Sequence, residues 1–185
     1  EVLEELVPAL AAEQRPAFVA LMAYMRGTTR LAEGRHEEAR AELERAEAAA
    51  RRLEKPDPDL VRSAAADLGN VALEEEDWHA AEAHFRRALV ALPDDAPSAR
   101  RQAVRAELLL GVARALAPDG RVDEALALIR EAFAMGMASG CSLGRKVAAH
   151  AALVEGDAPM LETGERRRLY QTAARLGRVS GLAQG

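Results

Sequence analysis

Apolar residues recur at helical spacing along almost the whole chain. Val2, Leu3, Leu6, Val7 and Leu10 predict a short helix within 1–15. Phe18, Leu21, Met22, Met25 and Leu31 carry a second helix to about residue 33, with Pro16 in its first turn, where the missing N–H costs nothing. Gly34-Arg35 makes a turn. A helix to about residue 54 follows, with Ala39, Leu43 and Ala46 on one face. Pro56 and Pro58 then interrupt the chain, because a residue before proline avoids helical angles. The alternation continues with 59–75 and 78–92, a break containing Pro93 and Pro97, and 98–116 and 122–138 around Pro118-Asp119-Gly120. Gly136, Gly140 and Gly144 read as a small-residue hinge or a close helix contact. A helix to about 155, a turn through Pro159 and a last helix over 160–176 complete the pattern, with a frayed tail beyond.

The helix pairs repeat in register. Gly27, Gly69 and Gly111 stand 42 residues apart, and so do Ala39 and Ala81. Ala125 follows Ala81 by 44, which predicts a longer turn at Pro118-Asp119. Leu43, Phe85 and Ile129 keep step, as do Ala46, Ala88 and Ala132. The small residues let the two helices of a pair approach, and the large residue four positions on lies on the same face and fills the space between neighbouring pairs. A single hairpin cannot bury its apolar face, so stacking of pairs is expected.

These columns resemble the tetratricopeptide repeat family. Leu68-Gly69, Trp78, Ala81, Phe85, Ala88 and Pro93 carry the resemblance in the central repeat. Gly27, Gly34, Ala39, Leu43 and Ala46 carry it before, and Leu110-Gly111, Gly120, Ala125, Ile129 and Ala132 after. The 42-residue spacing is similar to that of the family's long-unit variants. The resemblance implies an all-α, right-handed superhelix of antiparallel helix pairs, an α-solenoid of eight or nine helices in one domain. Its parts are an N-terminal helix (1–15), repeats at 16–55, 58–93 and 97–138, a degenerate repeat or a pair of capping helices at 139–177, and a tail at 178–185.

The resemblance also implies a concave groove lined by the first helix of each pair. Projected from the glycine column, it holds Leu21, Tyr24, Thr28 and Leu31, then Ser63, Ala66, Asn70 and Leu73, then Arg105, Leu108 and Val112, and last Lys146 and His150. Asn70, one residue after the glycine, matches the family position that holds a bound peptide's backbone. Ala66 stands where a carboxylate-binding version carries a basic residue, and Leu109 where it carries polar ones, so that style of recognition is disfavoured. Arg105, Lys146 and His150 give the far end a positive bias.

Composition narrows the partners. The apolar half of the chain is mostly Ala and Leu, strong helix formers, and aromatics are 3%. A formal net charge of -5 argues against direct nucleic-acid binding. No apolar run approaches the roughly 18 residues of a membrane span. Cys141 is the only cysteine, which points weakly to the cytoplasm. Starting at Glu1, the chain reads as a segment of a larger protein, and its Ala/Arg/Glu-rich usage suggests a high-GC bacterium.

No constellation of catalytic or metal-binding residues emerges. His36, His79, His84 and His150 are dispersed, and the pair five apart points to different helix faces, whereas a helical metal pair wants i,i+4. Cys141 reads as a small buried thiol rather than a nucleophile. The Gly136–Gly144 stretch lacks the preceding strand and the Lys-Ser/Thr of a phosphate loop. The Arg pairs lie among glutamates or at helix ends and read as solvated faces. Asp94-Asp95 reads as a turn, and Trp78 as packing between repeats. The expected function is therefore a non-catalytic, cofactor-free scaffold for a protein or peptide partner. A sensor of a small peptide or metabolite, and self-association through the array ends, are the alternatives.

Overall fold

The computed structural model describes residues 14–92, 98–156 and 163–180. Most of the expected N-terminal helix, the break containing Pro93 and Pro97, the turn at Pro159 and residues 181–185 lie outside them. The described residues form eight α-helices and no strand: α1 (Arg15–Ala32), α2 (His36–Arg51), α3 (Pro58–Glu74), α4 (Trp78–Val90), α5 (Ala99–Leu116), α6 (Val122–Ser139), α7 (Ser142–Gly156) and α8 (Thr163–Ser180). The last helix runs through Ser180, into the stretch expected as a tail.

The boundaries follow from local chemistry. Pro16 and Pro58 occupy first-turn positions. Asp57, Asp77 and Ser98 accept backbone N–H bonds from Leu60, Ala80 and Arg101 at 3.0, 3.0 and 3.2 Å, which caps α3, α4 and α5. The turns within the first three pairs share one closure. Gly34, Glu76 and Gly120 adopt left-handed φ values of 72°, 59° and 82°. The next residue's N–H then reaches back five positions, from Arg35 to Arg30, Asp77 to Ala72 and Arg121 to Leu116, at 2.9, 2.9 and 3.1 Å.

The chain divides into two compact units, Glu1–Pro93 and Asp94–Gly185. In the first, α1, α2, α3 and α4 pack in succession, and α1 also meets α3. In the second, α5 to α8 pack in succession, and α5 also meets α7. Each unit is thus two antiparallel pairs whose first helices touch, the helix-pair arrangement of an all-α solenoid. The segment 139–177, left open between a repeat and a cap, holds α7 and most of α8, which pack on each other, and α7 packs on α5 and α6.

The repeat columns form the core. Ala39, Ala46, Ala81, Ala88 and Ala132 are fully buried, as is Leu43, whose burial stabilises by about 1.5–3 kcal/mol. A Cβ on Gly27 would lie 2.7 Å from Leu43 Cγ, and one on Gly69 would lie 2.8 Å from the Phe85 ring. The large residue of α2 and that of α4 are therefore each seated on the glycine of their own pair. Leu43 also joins Leu68 and Val71 of α3, so it locks both its own pair and the next. In the second unit, α6 and α7 meet through backbone: a Cβ on Gly136 would lie 2.6 Å from the Gly144 carbonyl oxygen. Close packing, not a phosphate loop, accounts for these glycines.

Candidate functional site

In the first unit, side chains from α1 and α3 converge on Asp67. Tyr24 reaches across from α1, donating its hydroxyl to Asp67 and accepting from Ser63. Asn70 Nδ2 donates to Asp67 Oδ1 at 3.4 Å. Burial, then the Asp67 charge and hydrogen bond, pushes the Tyr24 phenol up to about 12. Burial likewise raises Asp67, opposed by the Tyr24 and Asn70 hydrogen bonds and by the charge of Arg62. With Nδ2 engaged by Asp67, Asn70 keeps Oδ1 as the acceptor it can present. Thr28, on the same helix as Tyr24, instead donates to the Met25 carbonyl at 3.0 Å.

Beside this network lies a cleft of about 520 Å³ at the N-terminal ends of α1 and α3. Phe18, Leu21, Leu53 and Leu60 form its apolar wall, and Leu21 is 45% exposed there. Tyr24 and Ser63 belong to both cleft and network. Asp57 and Asp59 supply the charge on the wall, and no Lys or Arg is among the described lining residues.

Asp67 lies off the stripe that the glycine spacing projects. Ser63, Asp67 and Asn70 are separated by four and three, one stripe of a helix, and the polar type of all three is the signal that identifies it. The stripe runs through Asp67 rather than Ala66, and Leu73, expected beside it, is buried.

In the second unit the expected groove residues separate. Arg105 on α5 is exposed, and so are Lys146 and His150, four apart on α7. Partial burial, then the Arg114 guanidinium, lowers the pKa of His150. Leu108, expected on the groove, is 3% exposed and Val112 is 1%. Both belong to the core, because α5 is enclosed by α6 and α7 and carries apolar residues on most sides.

The remaining candidates resolve locally. Among the described residues no three of His, Cys, Asp and Glu gather as metal ligands. His84 Nδ1 accepts from Arg87 at 2.6 Å, and burial, then the Arg87 and Arg40 charges, pulls its pKa to about 4 against the opposing charge of Asp77. Arg87 also bonds Glu47 at 3.2 Å, a carboxylate on a residue only 8% exposed that takes Arg51 at 2.6 Å. Cys141, expected as a buried thiol, is only partly buried. Its sulfur accepts the Gly144 N–H at 3.3 Å at the start of α7, an N-cap role, and the Ser139 hydroxyl and that N–H lower its pKa.

Residues 18–93, nearly all of the described first unit, match the family model described as tetratricopeptide repeat. No curated protein matches the chain.

Proposed function

From a chain that belongs to the tetratricopeptide repeat family over residues 18–93, we propose a non-catalytic scaffold that binds a protein or peptide segment on the α1–α3 face. The observation that supports this reading is the convergence of Tyr24, Ser63, Asp67 and Asn70 beside an open apolar cleft. Such a face offers hydrogen-bonding groups for an extended backbone and a recess for a side chain, a division of labour common in peptide recognition. Arg105, Lys146 and His150 are proposed as a separate contact region of the second unit, and Thr28 as a flank of the first. The composition supports placing the scaffold in the bacterial cytoplasm, as part of a larger regulatory or assembly protein. Among the described residues no helix is long and apolar enough to cross a membrane.

The test is direct. Peptides selected on the whole chain should lose roughly 5–30-fold in affinity on Asn70→Ala or Tyr24→Ala, about 1–2 kcal/mol, with helicity unchanged by circular dichroism. Affinities unmoved by both substitutions would remove the face from consideration. The cleft volume also supports a second reading, since small-molecule sites span about 300–1,000 Å³. A metabolite or short peptide lodged there would slow hydrogen exchange in α1 and α3 saturably, and exchange unchanged by every ligand class tried would dispose of that reading.

A further inference from the structure

We infer that the α1–α3 cleft takes a large apolar side chain flanked, in the same partner segment, by a lysine or arginine. The inference rests on the peptide-binding reading above and specifies its ligand.

The lining of the cleft argues for the apolar residue. Phe18, Leu21, Leu53 and Leu60 meet around it, and Leu21 stays 45% exposed. An apolar side chain entering there removes both its own surface and that of Leu21 from water, which favours association in proportion to the area covered.

The charge argues for the cation. The cleft carries two carboxylates, Asp57 and Asp59, with Asp67 behind Tyr24. Arg62, itself not among the lining residues, pairs with Asp59, its Nη2 3.2 Å from Asp59 Oδ1. Neither Arg52 nor Lys55 of the α2–α3 connection is among the lining residues. Asp57 Oδ1 accepts the Leu60 N–H, and the Asp59 side chain is 78% exposed, so both carboxylates retain acceptor capacity for an incoming ammonium or guanidinium. A helix N-terminus ordinarily attracts anions, but that of α3 is occupied by Asp57 at the cap and Asp59 in the first turn. A partner carboxylate placed here meets two like charges and one cation that is already paired. A lysine or arginine beside the anchoring residue meets complementary charge.

A phage-displayed library of random dodecapeptides panned on the whole chain tests this. The expected winners carry Leu, Ile, Phe or Trp next to Lys or Arg. Measured by fluorescence polarisation as synthetic peptides, they should lose about fivefold on Leu21→Ala and about fivefold on Asp59→Lys, and weaken as salt is raised. Replacing the peptide's cation by glutamate should lower affinity for the wild type and restore it for Asp59→Lys. That exchange separates charge recognition from damage to the fold. Winners that are acidic, or that bind Leu21→Ala and Asp59→Lys as tightly as the wild type while still losing affinity on Asn70→Ala, would overturn the inference and leave the binding face standing. Winners indifferent to all of these substitutions, or no winners at all, would overturn both.

Discussion

Residues 1–93 hold 19 Asp and Glu against 12 Lys and Arg, while residues 94–185 hold 11 against 13. The first unit is thus acidic and the second slightly basic, and their first-helix faces follow suit: Asp57, Asp59 and Asp67 on one, Arg105 and Lys146 on the other. Both units nevertheless pack two helix pairs in the same order. The packing is set by small and large apolar residues at fixed register, and those positions carry no charge. Surface charge is therefore free to differ between units without disturbing the fold.

The units also differ in how helices are locked, and that difference can be tested first. Gly136 faces the backbone of Gly144 and Ala148, whereas Gly69 faces the ring of Phe85, a side chain that can shift. Gly136→Ala should cost about 1–2 kcal/mol net, since a clash with backbone puts overpacking in the upper part of its range of about 1–3 kcal/mol, against a gain of about 1 kcal/mol in helix propensity. Gly69→Ala should stay within about 1 kcal/mol of the wild type by the same two terms. Urea midpoints of the whole chain, with hydrogen exchange to locate the loosened helix, distinguish them. Equal losses in the two variants would erase the distinction between backbone and side-chain locks.

A smaller effect concerns pH and belongs to the first unit. His84 is held neutral in the fold to about pH 4, while in the unfolded chain it protonates near its ordinary value of about 6.5. Because the unfolded state takes up the proton first, stability from this residue is complete above about pH 6.5 and declines as pH falls toward about 4. His84→Gln should flatten that decline. An identical decline in the variant would assign it to the carboxylates instead.

The smallest effect lies in a turn. Glu76 occupies the left-handed position that Gly34 and Gly120 fill in the neighbouring turns. A side chain there is strained, so Glu76→Gly should stabilise by about 0.5–1 kcal/mol, and Gly34→Ala should destabilise by a similar amount. Thermal midpoints of the two variants moving in the same direction would contradict a shared turn geometry.

Much of this was legible in the sequence. The spacing of Gly27 and Gly69 located both glycine seats, and the matching spacing of Leu43 and Phe85 located what fills them. Legibility failed where residue type concealed conformation. Nothing in Glu75-Glu76-Asp77 announces a left-handed residue. The run Leu108-Leu109-Leu110 gives a helix no phase, so Leu108 could be placed on the wrong side of α5. Asp67 was concealed by its neighbour, because Ala66 and Asp67 are both close to the stripe through Asn70 and only contact with Tyr24 decides between them. The capping role of Cys141 depends on where α7 begins, which the glycines around it leave open.

The shared turn closure has one further consequence. From Gly34, Glu76 and Gly120, the next small buried residue, Ala39, Ala81 or Ala125, follows at the same distance of five. The two residues that lengthen the third repeat all precede Gly120, so the left-handed residue restarts the count. The second helix inherits its rotation from that residue and not from the length of chain before it. Positions 117 and 118 are accordingly a splice point, where an ancestral insertion could be absorbed without re-registering the array and where an engineered segment could be grafted on the same terms.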